Sequence, residues 1–225
     1  MTNIKMVVFD MAGTTINEHN VVYKTLYTVI NESGLPVSLE KVLELGAGKE
    51  KFQAIKDIIN EIDPATSINP EMIFGNFKNM LDEAYSILAV TPIDGVDATM
   101  LELKEKGIKV VLNTGYSETV ANTLLHKLNW EKDVHYDLLV TADDVEKGRP
   151  HPDMILKAMD ALHVFDPKTV LKAGDSAVDI EEGKNANCGI TVGVLSGAQT
   201  KEQLKSAEPT YIIESLATLN QIMDY

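Results

Sequence analysis

The sequence predicts an α/β fold in which a doubly wound parallel sheet carries one inserted group of helices. Three observations predict it: short apolar runs recur along the chain, helical patterns alternate with them, and one long segment shows helical patterns alone. Runs rich in Val, Ile and Leu are typical of strands covered on both faces, and their alternation with helices is typical of parallel sheets. The five predicted strands are residues 4–9, 108–112, 137–140, 169–173 and 190–194.

The segment of residues 17–91 interrupts this alternation. It holds four helical patterns, in which apolar residues recur at intervals of three and four: residues 20–34, 38–46, 49–62 and 70–88. Ser38 is expected to cap the second helix, and Gly34 and Gly46 are expected to end the first and second. We therefore expect a helical cap domain over residues 17–91, inserted into a core domain of residues 1–16 and 92–225.

Composition limits the classes of partner. The chain has 225 residues, 44% of them hydrophobic, and a formal net charge of −14. Nucleic acids and anionic membrane surfaces need a basic footprint, so neither is expected as a partner. No run approaches 18 apolar residues, the N-terminus does not resemble a signal peptide, and the single Cys188, expected to be buried structure, cannot form an intramolecular disulfide. These features predict a cytoplasmic protein, and they leave open a homodimer formed through the cap.

Four polar stretches follow the predicted strands. They read FDMAGTT, LNTGYS, EKGRPHPD and AGDSAVD. Ligands of open parallel sheets bind beyond the carboxyl ends of the strands, so we expect these stretches to converge on one site.

Two of the stretches are ambiguous when taken alone. Asp10 ends a strand and Gly13 allows a tight turn after it, a pattern that equally suits an ordinary turn aspartate. Thr114 and Gly115 end another strand, and Ser117 is expected to cap a helix whose N-terminal N–H groups favour a phosphate. Many α/β turns share that second pattern.

The other two stretches carry charge. Asp175 and Asp179 lie one helical turn apart, so both carboxylates can face one hard cation, although an N-cap and a solvated acid would give the same spacing. Arg149 stays protonated and can neutralise a substrate anion or a carboxylate nucleophile, although surface solvation is the commoner role.

Together, in this order and spacing, the four stretches resemble the haloacid dehalogenase superfamily of aspartyl-nucleophile hydrolases. The resemblance covers essentially the whole chain and implies a Rossmann-like core with a helical cap placed after the first motif. Ala12 stands where the usual motif has a second aspartate, and Arg149 stands where most members have lysine. Both features resemble the phosphonatase branch, the phosphonoacetaldehyde hydrolases and their close relatives.

The resemblance implies a role for each matching residue. The substrate would be a small phosphonate or phosphate, and Asp10 would be the nucleophile that becomes an aspartyl phosphate. Magnesium would be held by Asp10, the backbone carbonyl of Ala12 and Asp175, with Asp179 supporting them. Thr114 and Arg149 would bind the phosphoryl oxygens, and the remaining substrate-binding positions would be Gly13, Gly115 and Tyr116.

The leaving group needs a different solution, because Ala12 cannot act as a general acid. The phosphonatase family uses a cap lysine that forms an imine with the substrate carbonyl, and Lys49, three residues after Gly46, occupies that position. Lys51 and Lys56 would lower its pKa if they face the same cleft. Phe52 stands where the family has a histidine, which leaves open another 2-oxo-alkylphosphonate or a phosphate monoester as the substrate. The missing second aspartate leaves open a phosphate-binding regulatory protein without activity.

Overall fold

The computed structural model of the protein describes residues 4–47 and 49–223. Gly48 in the lysine-bearing stretch and the two ends of the predicted core domain lie outside the described residues. The strands, in chain order, are β1 (Met6–Asp10), β2 (Ile16–Asn17), β3 (Thr91–Pro92), β4 (Lys109–Asn113), β5 (Leu138–Val140), β6 (Val170–Gly174), β7 (Ile190–Val194) and β8 (Tyr211–Ile213). The α-helices are α1 (Val21–Glu32), α2 (Leu39–Gly46), α3 (Lys51–Ile62), α4 (Pro70–Ile87), α5 (Val96–Glu105), α6 (Glu118–Leu128), α7 (Asp153–Ala161), α8 (Ala177–Asn185) and α9 (Lys201–Ser206).

Six strands form one parallel sheet in the order β5-β4-β1-β6-β7-β8. The predicted α/β class is confirmed, and so are the five predicted strands. Alternate side chains of β1 enter two different cores, with Val7 and Phe9 in one and Met6 and Val8 in the other. Burial on both faces explains why the run is continuously apolar.

Helices α1 to α4 follow β2 and precede β3, and the two short strands pair antiparallel. Helix α1 packs against α2 and α4, while α3 packs against the same two helices. The predicted cap of α2 is confirmed, because the Ser38 side chain accepts the backbone N–H of Lys41 at 3.1 Å. No helix of the described residues is long and apolar enough to cross a membrane.

Candidate active site

Asp10 is the last residue of the central strand β1. It is buried, and β1 lies between β4 and β6, so the ends of three strands surround its carboxylate. The chain then turns sharply at Gly13, whose φ of +76° favours glycine. A Cβ at Gly13 would lie 2.4 Å from Oδ2 of Asp175, so the close approach of the two loops also requires a glycine there.

The second stretch follows β4. The backbone N–H of Thr114 donates to the carbonyl of Val140 at 3.0 Å, and the Thr114 Oγ1 accepts the backbone N–H of Tyr116 at 3.2 Å. Ser117 caps α6, as predicted, by accepting the N–H of Val120 at 3.4 Å. These contacts keep the buried side chains of Thr114 and Tyr116 beside the end of β1.

Asp175 and Asp179 meet beside Asp10. Asp175 follows β6 and its Oδ2 accepts the N–H of Ala198 at 2.6 Å, while Asp179 lies in the first turn of α8. One carboxylate oxygen from each of the three aspartates lies within 4.8 Å of the other two. The sequence prediction that these carboxylates converge is thereby supported by the geometry.

The three aspartates form a cluster that fits a divalent cation. Burial, together with the mutual repulsion of the carboxylates, raises the pKa of Asp10 and sets the pKa of Asp175 well above its usual range. Carboxylate oxygens are the hard donors that bind Mg²⁺, and a divalent charge would offset the repulsion within this cluster.

Arg149 lies between Asp10 and Asp179. Its Nη1 is 2.9 Å from Oδ1 of Asp10 and 2.5 Å from Oδ1 of Asp179, and its side chain is 3% exposed. Burial would raise the pKa of Asp179, but the charges of Lys172 and Arg149 lower it to about 2. Arg149 is therefore part of the buried site and is not the solvated surface residue that the sequence left open.

Lys172 is a site residue that the sequence analysis missed. Its side chain is fully buried on β6, and Nζ lies 2.6 Å from Oδ1 of Asn113, 3.0 Å from Asp179 and 3.1 Å from Glu182. Asn113 in turn donates to both carboxylate oxygens of Glu182, at 2.8 and 3.0 Å. The available signal was a lysine inside an otherwise apolar run, TVLKA, because a charge in a central strand needs buried partners.

A small cavity opens between these loops and the helices of residues 17–91. Its lining joins predicted site residues to two residues from α1 and α3: Asp10, Ala12, Thr114, Gly115, Tyr116, Arg149 and Asp175, with Tyr23 and Lys51. Gly13 lies behind this lining, where its carbonyl accepts the hydroxyl of Ser196 at 2.7 Å.

The two lysines at the start of α3 are placed differently. Of the described residues in this segment, Lys51 lines the cavity and Lys49 does not. The Lys49 ammonium pairs instead with Asp57 at 2.5 Å, where both side chains are about one-third exposed. The Phe52 ring packs against Phe74, with centroids 5.2 Å apart.

The fold and the carboxylate site define a class of hydrolases. The chain belongs to the haloacid dehalogenase-like hydrolase family, whose model matches residues 4–187. Within that class it is similar to the phosphonoacetaldehyde hydrolase of Bacillus mycoides, at 30% identity over 95% of this chain and 85% of the relative. The phosphonoacetaldehyde hydrolase of Latilactobacillus sakei is 27% identical, over 99% of this chain and 96% of that protein.

A solved structure shares the fold. A phosphonoacetaldehyde hydrolase-like protein from Oleispira antarctica superposes with a TM-score of 0.82 at 24% identity, covering 98% of this chain and 91% of its own. The family predicted from the four stretches is thus confirmed, and so is the prediction of a hydrolase.

Proposed function

We propose that this hydrolase cleaves a small 2-oxo-alkylphosphonate, such as phosphonoacetaldehyde, through an aspartyl phosphate on Asp10 and an imine on a cap lysine. The observation that carries the proposal is Ala12 in the cavity wall. Among the described residues that line the cavity, the carboxylates are Asp10 and Asp175, and both belong to the aspartate cluster. A carboxylic acid outside the cluster, which could protonate an alcohol as the second aspartate of the usual motif does, is missing from that described lining, whereas a carbanion stabilised by an imine needs no such acid.

Residues 17–91 are proposed to act as the cap over this site. Their four helices pack on one another, and Tyr23 and Lys51 extend from them to the cavity. The resemblance assigns the imine to Lys49 in this segment.

Magnesium is the proposed cofactor. Asp10, the carbonyl of Ala12 and Asp175 would hold it, while Asp179 keeps Arg149 and Lys172 beside them. When bound, the ion supplies positive charge that offsets the repulsion between Asp10 and the anionic phosphoryl group.

The remaining steps, substrate binding and bond cleavage, are assigned to residues of the chain. The Thr114 hydroxyl and the Arg149 guanidinium would bind the phosphoryl oxygens, and the backbone at Gly13 and Gly115 with the Tyr116 side chain would shape the space around them. An Asp10 oxygen then bonds to phosphorus as the carbon–phosphorus bond breaks, and the electron pair of that bond moves through the imine to give an enamine. Water hydrolyses the protonated enamine to the carbonyl product and cleaves the aspartyl phosphate to phosphate.

A phosphate-monoester phosphatase is the second candidate, and Phe52 is the observation that favours it. Phe52 replaces the family histidine, and a phenyl ring has no titratable group with which to transfer protons. The ring packs on Phe74 and lies 4.8 Å from the ammonium of Lys56. A phosphate-binding protein without activity is the weaker third candidate, because a binder does not need the Asp10 nucleophile.

The test is a panel of 2-oxo-alkylphosphonates and matched phosphate esters, assayed for phosphate release with Mg²⁺. We expect release from phosphonates, with Asp10→Asn as the inactive comparison. Release from esters alone would support the phosphatase, and release from neither would support the binding protein.

A further inference from the structure

Two lysines of residues 17–91, two positions apart, are candidates for the amine that forms the imine, and one of them lines the cavity. Lys51 lines the cavity together with Asp10 and Arg149, whereas Lys49 pairs with Asp57. We infer that Lys51, rather than Lys49, supplies the amine that condenses with the substrate carbonyl, an inference that rests on the proposed function.

Two contacts hold the Lys51 amine beside the cavity. Nζ donates to the backbone carbonyl of Lys49 at 2.6 Å and lies 5.2 Å from the centroid of the Tyr23 ring, which is itself a cavity wall. The ring face attracts the ammonium without forming a strong acceptor bond, and in the part of the chain that the structure describes no carboxylate forms an ion pair with Lys51.

The start of α3 explains why the two side chains diverge. Glu50 caps the helix by accepting the N–H groups of Phe52 and Gln53 at 2.8 and 2.9 Å, which makes Lys51 the first helical residue. A side chain there is directed toward the helix N-terminus, here toward the cavity. Lys49 precedes the cap and contacts Asp57, which lies six residues after the first helical residue.

The surroundings of Lys51 favour its neutral form. Burial lowers the pKa of Lys51 to about 8, and the Arg149 charge acts in the same direction. The charges of Asp10, Glu50 and Glu18 act in the opposite direction and are the weaker influence. A sizeable fraction of neutral amine near pH 8 is what attack on a carbonyl requires.

The covalent step balances without an added reagent. Neutral Nζ bonds to the carbonyl carbon, one proton moves from nitrogen to the carbonyl oxygen and a second comes from solvent, and water leaves to give an imine whose nitrogen keeps one proton. Protonated imine nitrogen accepts the electron pair of the breaking carbon–phosphorus bond while Asp10 bonds to phosphorus. The enamine takes a proton on carbon, and water restores the carbonyl product and the free amine of Lys51.

The experiment traps the imine and locates it. Phosphonoacetaldehyde is turned over with Mg²⁺, sodium borohydride is added, and the adduct is mapped by peptide mass spectrometry. We expect the adduct at Lys51 in the parent protein and in Lys49→Arg. Lys51→Arg should lose both the adduct and phosphate release by about 10³-fold or more, because a guanidinium does not form the imine. Lys56→Arg, exposed on the same helix, is the matched control and should behave as the parent.

A second variant distinguishes loss of the amine from misfolding as the reason for low activity in Lys51→Arg. Alkylation of Lys51→Cys with 2-bromoethylamine rebuilds an amine of nearly lysine length and should restore phosphate release. Burial raises the pKa of Cys188, the other thiol, to about 12, so it should react slowly, and the parent protein treated in the same way controls for it.

The outcomes separate the inference from the function on which it rests. An adduct at Lys49, or turnover that survives Lys51→Arg or fails to return on alkylation of folded Lys51→Cys, would overturn the inference and leave phosphonate hydrolysis standing. A parent protein that releases no phosphate from any phosphonate would overturn both.

Discussion

Arg149 and Lys172 are buried cations that form ion pairs with the buried carboxylates of the site. Arg149 contacts Asp10 and Asp179, and Lys172 contacts Asp179 and Glu182. Asp179 therefore accepts both cations, and this pairing lowers its pKa despite its burial. In the proposed mechanism this pairing orients Arg149 toward the nucleophile.

Asp10→Asn should abolish phosphate release while leaving the fold intact. An amide cannot form an acyl phosphate, so we expect a loss of about 10³-fold or more in kcat, on the scale of removing a covalent catalytic group. Steady-state kinetics and circular dichroism provide the measurement, with exposed Asp160→Asn as the control. Turnover close to that of the parent would remove Asp10 from the mechanism.

Lys172→Met should destabilise the protein strongly. The substitution leaves Asp179 and Glu182 buried with one cation fewer, and breaking a buried ion network costs about 3–5 kcal/mol. Urea unfolding measures the change. Lys184→Met breaks an exposed pair with Glu208, 3.5 Å apart, and should cost about 0–1 kcal/mol. Equal effects in the two variants would contradict the structural role given to Lys172.

At the scale of elements, α8 and β6 approach each other closely at Gly174. A Cβ on Gly174, at the end of β6, would lie 2.1 Å from Cγ and 2.3 Å from Cβ of Asp179 on α8. Because glycine has no side chain, Asp179 of α8 can approach the carboxyl end of β6.

Gly174→Ala should therefore disrupt both packing and the site. Overpacking of this kind costs about 1–3 kcal/mol, and the displaced Asp179 should also raise the Mg²⁺ concentration needed for activity. Gly75→Ala is the matched control: it lies in α4 with nothing within 4 Å of the added Cβ, and it should gain about 0.5–1 kcal/mol. Urea unfolding of both variants, with metal titration of activity, tests the pair, and a neutral Gly174→Ala would contradict the close approach.

Strands and helices with strong periodic patterns could be predicted, and weak ones could not. The five longer predicted runs were located within one or two residues because each is short and rich in Val, Ile or Leu. Strand β8, Tyr211–Ile213, is a three-residue edge strand with partly exposed side chains, and β2 and β3 have two residues each. Segments so short carry no periodicity, and their pairing depends on contacts distant in sequence.

At the scale of the whole molecule, the sheet topology assembles the site. Strand β1 lies between β4 and β6, so the stretches that follow these three strands meet although they are about 60 to 165 residues apart in the chain. Parallel order let the sequence predict this convergence. It could not show which lysine reaches the cavity, because that depends on where Glu50 begins α3 and on the packing of the helices over the sheet edge.

Magnesium binding should stabilise the whole fold, and this final prediction can be measured without turnover. A ligand that binds the folded state alone raises the free energy of unfolding, by about 2.7 kcal/mol at a concentration 100 times its Kd. We expect thermal unfolding to shift upward with Mg²⁺ and to return with chelator, while phosphate release is lost and recovered in parallel. Asp175→Asn should need far more metal for either effect, and Asp160→Asn should match the parent.

The pH dependence of that stabilisation follows from the cluster. Burial raises the pKa of Asp10 and Asp175, so in this pair the folded state holds protons at pH values where an unfolded aspartate has lost them. Without metal, these two groups should make the fold less stable as pH rises through that window, which begins above about 4. Bound Mg²⁺ needs the ionised carboxylates, so the upward shift in Tm should grow as pH rises and shrink on acidification. A shift in Tm that is independent of pH, or that persists unchanged in Asp175→Asn, would place the ion elsewhere in the molecule.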